Sequence, residues 1–260
     1  MTAGDSEIMT VAAARALRNE DVCFVGIGLP SAACNLARLT HAPRIALIYE
    51  SGTLATRPNV LPLSIGDGEL CDTALTTVGV PEIFRYWLQG GRITVGFLGG
   101  AQVDRFGNLN STVVGEYGRP KVRLPGAGGA PEIASSCGKI YIIMRQSKRS
   151  FVAKVDFLTS LGHGRNGVER RALGIKTRGP VLLITDLCVM SSDPDTCEFV
   201  VASLHPGVTR DRVRENTGWD VRFAETVEET CPPERLELEV LRDLNARTAL
   251  AHGTSGIEGN

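Results

Sequence analysis

The chain has 260 residues, of which 43% are hydrophobic and 22% charged, and a formal net charge of −1. That length holds one large α/β domain or two small ones, with a single domain over residues 1–260 preferred, and buries a core without covalent staples. A near-neutral balance disfavours nucleic acid and anionic lipid as partners, and no apolar run approaches the ~20 residues that cross a bilayer.

In chain order, Ile8 to Arg18 carry Ala, Leu and Val at helical spacing, and Val22 to Val25 form a strand-length apolar run that ends at Gly26-Ile27-Gly28-Leu29-Pro30. The proline suits a first helical turn, and helical spacing resumes over Ser31 to Leu39. Ile45 to Tyr49 is a continuous apolar run, as expected of a strand buried on both faces, and Glu50 stands at its end. Glu82 to Leu88 read as helix and Ile93 to Leu98 as strand, and Asp104 to Asn108 form a tight turn before Asn110 to Val114. Three β-branched runs follow at Lys139–Met144, Val181–Ile184 and Phe199–Leu204, and Thr209–Asn216 and Glu234–Arg247 read as helices. The alternation predicts an α/β fold with an open sheet and flanking helices. Gly162 to Gly179 is polar, basic and glycine-rich, which predicts a mobile excursion from the sheet. The tail from about residue 253 is expected to fray.

Met1 to Asp5 lack the basic and apolar regions of a secretory leader, so the expected location is cytoplasmic. The cysteines at 23, 34, 71, 137, 188, 197 and 231 are odd in number and include no Cys-x-x-Cys pair. They read as reduced, mostly buried thiols, and no metal site is expected.

Three features bear on chemistry. Gly26-Ile27-Gly28 follows a strand, opens a helix and is trailed by the acidic Glu50, which resembles a dinucleotide fingerprint. Ser31 stands where the third glycine belongs and Pro30 restricts the loop, so a turn that uses glycine for its backbone angles is the simpler reading. Glu50-Ser51-Gly52 places a carboxylate directly after a buried strand, at the edge where α/β sheets build their sites; a capping or salt-bridged glutamate is the competing reading. Gly126-Ala127-Gly128-Gly129-Ala130 precedes the helix-like Pro131 to Ser136 and can aim backbone N–H groups at a developing oxyanion, or can serve only as a turn. A nucleophilic carboxylate and oxyanion donors together suit attack on a thioester. His205 fits a turn, with Thr209 capping the next helix. His163 could contact a phosphate or solvent.

In combination these motifs resemble the β subunits of family I CoA-transferases, whose catalytic glutamate sits in a Glu-Asn-Gly or Glu-Ser-Gly motif after an early strand. Gly26 to Pro30, Gly99 to Asn110, Gly126 to Ala130 and Pro206 to Thr209 match the family's pattern in order, and the similarity runs from about Met9 to His252. Within the family, Tyr49 to Gly52, Leu63 to Glu69 and Phe84 to Gly91 are most similar to the branch that acts on 3-oxoadipate. The resemblance implies an open, mostly parallel sheet of the CoA-transferase type. It implies transfer of CoA from succinyl-CoA to 3-oxoadipate in aromatic compound degradation, through a glutamyl-CoA thioester on Glu50. It also implies Gly126, Gly128, Gly129, Ala130, Gly26 and Gly28 as oxyanion or CoA contacts, with the N–H groups of Gly129 and Ala130 as the donors. No cofactor is implied, since the CoA thioester is a substrate; the implied partner is a separate α subunit in an α2β2 assembly. Pro131-Glu132 departs from the Met-Asp of many members. Hydrolases and decarboxylases share the scaffold and are the nearest rivals, followed by a glutaconate-type transferase, a dehydrogenase and a non-catalytic CoA-binding regulator. Arg85, Arg105 and Arg123 are possible contacts for an acceptor's distal carboxylate.

Overall fold

The computed structural model describes residues 3–253. The first part of the chain runs α1 (Asp5–Arg15), β1 (Val22–Phe24), α2 (Leu29–Leu39), β2 (Ala46–Ile48), β3 (Thr53–Leu54), α3 (Gly68–Asp72), β4 (Thr76–Thr77) and α4 (Val80–Glu82). A π-helical turn over Ile83–Leu88 and β5 (Val95–Leu98) complete it. There follow β6 (Gln102–Val103), β7 (Leu109–Asn110), β8 (Val113–Glu116), β9 (Arg119–Arg123), α5 (Ala130–Ser136) and β10 (Lys139–Ile143). After a 3₁₀ turn at Arg165–Gly167 come α6 (Glu169–Ala172), β11 (Pro180–Ile184), β12 (Cys188–Ser192), β13 (Phe199–Leu204), α7 (Arg210–Glu215), β14 (Arg222–Glu229) and α8 (Arg235–His252). Except for Gly253, which closes α8 at φ 65°, the tail expected to fray lies outside the described residues. The chain forms two compact units, one from the residues up to Phe97 together with those from Pro232 onward, the other Leu98–Cys231.

In the first unit β1 pairs in parallel with β2 on one side and β5 on the other. Helix α2 is buried from Ser31 through Ala37, where Ala32, Ala33 and Cys34 give it a slim face that packs against α1 and α8. Ion pairs fix α8 to α1, from Arg15 to Glu237 at 2.6 Å and from Arg242 to Glu7 at 2.6 Å. Helix α1 starts earlier than its apolar spacing predicts, because the Glu7 carboxylate reaches back to the Gly4 N–H and satisfies a donor the helix leaves open.

In the second unit β10/β11 and β13/β14 are parallel, while β11/β12 and β12/β13 are antiparallel. The expected class, α/β with a mostly parallel open sheet and flanking helices, is the one adopted. Strands β12 and β14 were not anticipated. In β14, Arg-Phe-Ala-Glu-Thr-Val-Glu-Glu is polar and largely exposed because only one neighbour, β13, pairs with it. The Asp104 turn forms as predicted: its carboxylate accepts from the Phe106 and Asn108 N–H groups and from Asn108 Nδ2.

The Gly162–Gly179 segment differs from its expectation. Gly162, His163, Gly164 and Arg170 are buried. The Arg170 guanidinium donates to the carbonyls of Leu161, Gly162, Thr177 and Ala134. Asn108 Oδ1 accepts from the N–H groups of Gly162 and Gly164. Composition signalled mobility, but one buried cation and one buried amide tie the segment down.

Candidate active site

β1 and β2 run side by side with Phe24 opposite Ile48, and the Val25 N–H donates to the Ile48 carbonyl at 2.9 Å. The chain leaves both strands at the same carboxyl end, so Gly26, Gly28 and Glu50 come together at one edge of the sheet. Gly28 caps α2 with φ 83° and ψ −130°, a conformation open to glycine and unfavourable for other residues.

The residue before Glu50 is the anchor. Tyr49 is fully buried, and its hydroxyl lies 2.7 Å from Ser31 Oγ in the first turn of α2. The backbone of Ser31 accepts from Asn35 Nδ2, and Asn35 Oδ1 in turn accepts from the Arg38 guanidinium. Desolvation pushes the Tyr49 phenol well above its ordinary range, so it remains a neutral bonded hydroxyl. Ser31, which breaks the dinucleotide pattern, is therefore a strut between α2 and the end of β2. Nothing local in the sequence signalled this role.

Beyond Tyr49 the chain reverses. The Gly52 N–H donates to the Tyr49 carbonyl at 3.0 Å, the Tyr49 N–H to the Thr53 carbonyl at 3.2 Å and the Val78 N–H to the Gly52 carbonyl at 2.9 Å. Glu50 and Ser51 are the two central residues of this turn. Glu50 is half-buried and, among the described residues, its carboxylate has neither a hydrogen-bond partner nor an ion pair. The capping and salt-bridge readings of Glu50 thus find no partner among the described residues. The buried hydroxyls of Ser51 and Thr53 also lack partners among the described residues.

The second glycine motif lies in the second unit. The Gly126 N–H donates to the Ser111 carbonyl at 2.9 Å and the Ser111 hydroxyl returns a bond to the Gly126 carbonyl at 2.8 Å, which fixes the start of the loop. Gly126 and Gly128 have φ 106° and 50°, and Gly129 follows at φ −81°, ψ −3°. At Gly128–Gly129 a positive φ is followed by an αR residue, the order of residues found in anion-holding backbone nests. The Ala130 N–H is engaged with the Ala127 carbonyl at 3.0 Å, so of the two expected donors it is the Gly129 N–H that has no acceptor among the described residues, and the same holds for Gly128. Glu132 accepts from the Ser136 hydroxyl of its own helix.

The remaining candidates are placed as follows. His163 is buried, and its Nε2 sits 2.8 Å from the Pro180 carbonyl and 3.2 Å from the Ser192 hydroxyl, so it reaches neither solvent nor a phosphate. Burial pushes its pKa below the usual histidine range. His205 is likewise buried, between the Thr185 carbonyl and the Thr230 hydroxyl. Thr209 caps α7 as predicted. Arg105 is paired with Glu198, Arg123 lies over the Tyr117 ring and donates to the Tyr117 carbonyl, and Arg85 is exposed. Five of the seven cysteines are buried. Among the described residues no helix is long and apolar enough to cross a membrane.

Comparison with known proteins bears on the family and the fold. The family model described as Coenzyme A transferase matches residues 6–216. The B subunit of the 3-oxoadipate CoA-transferase of Pseudomonas knackmussii is 64% identical over 253 residues, 97% of each chain. The B subunit of the glutaconate CoA-transferase of Acidaminococcus fermentans is 36% identical, covering 88% of this chain and 87% of that one. The crystal structure of that organism's glutaconate coenzyme A-transferase superposes with a TM-score of 0.87, covering 93% of this chain and 94% of that chain at 31% identity.

Proposed function

The chain belongs to the coenzyme A transferase family, and on that premise we propose that it is the glutamate-bearing subunit of an enzyme that moves CoA from succinyl-CoA to 3-oxoadipate. The observation that carries the proposal is Glu50: a carboxylate without a partner, on a turn locked by Tyr49, Ser31 and Gly52. The 64% identity to a 3-oxoadipate CoA-transferase subunit supports the choice of acceptor.

In the first step a Glu50 oxygen attacks the succinyl thioester carbonyl and the C–S bond breaks, which leaves a mixed succinyl-glutamyl anhydride and CoA thiolate. The thiolate attacks the glutamyl carbonyl, succinate departs, and a glutamyl-CoA thioester remains. A carboxylate oxygen of 3-oxoadipate then attacks that thioester, and the same two steps in reverse deliver 3-oxoadipyl-CoA and restore Glu50. Each step exchanges one acyl bond for another with no net change in electrons, so a redox cofactor has no role. The kinetics are ping-pong. Tetrahedral oxygens need backbone N–H donors, each typically worth about 3 kcal/mol, and the N–H groups of Gly129 and Gly128 are of that kind. The waiting thioester needs shelter from water, and a separate α subunit fits that need, as the subunit names of the relatives suggest.

The test is covalent. The two-chain enzyme is incubated with succinyl-CoA, trapped with borohydride or hydroxylamine, and mapped by mass spectrometry. Modification at Glu50 is expected, and label on any other residue rejects the assignment.

A further inference from the structure

The chain that reverses at Glu50 is strained on its returning leg. Ala55, just past β3, has φ 50°, a conformation that residues with a side chain rarely adopt and that persists only where the surroundings hold it. Around it the Leu75 N–H donates to the Leu54 carbonyl at 3.0 Å, the Thr56 N–H to the Leu47 carbonyl at 3.1 Å and the Thr56 hydroxyl to the Leu70 carbonyl at 2.8 Å. Helix α2 adds a hold two residues further on, where the Arg38 guanidinium donates to the Pro58 carbonyl at 2.7 Å.

Ser31, Asn35 and Arg38 stand four and three positions apart, so they share one face of α2. Ser31 Oγ meets the Tyr49 hydroxyl at 2.7 Å on the leg that leads to Glu50, and Asn35 Nδ2 donates to the Ser31 carbonyl at 2.9 Å. Asn35 Oδ1 accepts from Arg38 Nε and Nη2 at 3.2 and 3.0 Å. One helix face, about 10 Å long, thus reaches both legs of the reversal. Arg38 is a costly residue for that task. It is half-buried, and among the described residues no carboxylate pairs with it. Burial first, and then the like charge of Arg57, pull its pKa below the ordinary arginine range. A neutral side chain would avoid that desolvation, so the cation calls for a role beyond fold stability.

We propose that α2 braces the Glu50 turn through both of its legs, and that Arg38 is, with Ser31 and Tyr49, a positioning residue of the transfer reaction. The inference rests on the reading of Glu50 as the nucleophile. Ser31 fixes the outgoing leg at Tyr49, and Arg38 fixes the strained return by holding the Asn35 amide and the Pro58 carbonyl with one rigid fork. Held at both ends, the turn keeps a Glu50 oxygen within the narrow range from which attack on a thioester carbonyl is efficient; a displacement of about 1 Å is enough to cost about a hundredfold in rate.

The experiment compares the assembled two-chain enzyme as wild type, Ser31→Ala, Arg38→Met and Thr209→Ala. Thr209 caps α7 in the other unit, so its loss lowers stability in a part of the chain that contains none of the brace. Hydrogen exchange at the Gly52 amide, which donates to the Tyr49 carbonyl, reads the turn without turnover. In Ser31→Ala and Arg38→Met that exchange is expected to quicken by at least about tenfold. Their kcat is expected to fall by about ten- to a hundredfold, with KM for succinyl-CoA within about twofold of wild type. Thr209→Ala is expected to lower the melting temperature while both readouts stay as in wild type. Arg38→Lys, which keeps the charge but not the fork, is expected to behave like Arg38→Met; full activity there overturns the role given to Arg38. Gly52 exchange or kcat at the wild-type level in Ser31→Ala and Arg38→Met overturns the proposal, as does an equal loss of kcat in Thr209→Ala. Should the first two variants fail to assemble, Tyr49→Phe, which removes one hydroxyl and keeps the ring, decides by the same two readouts. Failure of the Glu50 reading is seen separately, as label on another residue when wild type is trapped with succinyl-CoA.

Discussion

Two glycine turns in this molecule look alike in sequence and differ in what the glycine is for. At Gly52 the backbone has φ 107°, and a Cβ there would run into the Val78 carbonyl oxygen. At Gly126 and Gly128 φ is 106° and 50°, yet a Cβ at either would meet no atom within 4 Å. The first glycine is required by conformation and by packing together, and the second pair by conformation alone. The contrast suits the two chemical tasks proposed for these turns. A nucleophile is best presented on a turn that cannot shift, whereas a loop that offers N–H groups to a passing oxyanion needs free space beside it.

The largest expected effect falls on the group the locked turn presents. Glu50→Gln should lower CoA transfer by at least about a thousandfold. It should leave the melting temperature within about a degree, because Glu50 has no partner to lose among the described residues. Gly52→Ala comes next. The collision with Val78 and the positive φ together should cost about 3 kcal/mol or more, read as a lower urea midpoint, with transfer activity falling alongside. If that variant unfolds like wild type, the turn is not locked and the contrast dissolves. Gly128→Ala should cost only about 1 kcal/mol, from φ alone. Its kcat should still fall, by about tenfold, if the Gly129 N–H is displaced from its aim. A Gly128→Ala variant as unstable as Gly52→Ala would mean that the open space beside the loop is not real.

What could be read from the sequence divides along the same line. Strand–turn motifs were legible because they are local: the apolar run ending at Tyr49, the glycines around Gly28 and the Thr209 cap each carry their cause within a few residues. The turn at Asp104 was legible for the same reason. The supports were not. Tyr49 and Ser31 are 18 positions apart, and Arg170 reaches Ala134 across 36. Nothing in either neighbourhood announces such a partner, and composition misled outright at Gly162–Gly179, where glycine and charge usually signal a free loop. The π-helical turn at Ile83–Leu88 was equally hidden, since its apolar spacing is that of an ordinary helix. The engaged Ala130 N–H also required coordinates, because a glycine run does not reveal which donors its own turn consumes.

The smallest expected effect probes the scaffold behind the second glycine turn. His163 is neutral in the fold: burial opposes its charge most strongly, the bond to the Pro180 carbonyl opposes that trend, and the nearby Arg170 and Arg171 reinforce it. Its folded pKa therefore lies below the unfolded value of about 6.5. Above that pH both states are neutral and its contribution is complete; as pH falls below it the unfolded chain takes up the proton first, so stability is lost on acidification. One such group limits the slope to about 1.4 kcal/mol per pH unit. Wild type should lose stability between pH 7 and 5, and His163→Gln, which removes the ionisation while keeping a donor for the Pro180 carbonyl, should lose less over that interval. Glu7 titrates in the opposite environment, held below its ordinary range chiefly by its bond to Arg242, and its contribution fails only at more acidic pH. The difference between the two proteins over pH 7 to 5 isolates the histidine, because groups common to both, including the buried Asp104 carboxyl that burial shifts upward, cancel. Parallel curves for the two proteins there would mean that the Gly162–Gly179 segment admits water, and that the turn it supports is held less firmly than the one bearing Glu50.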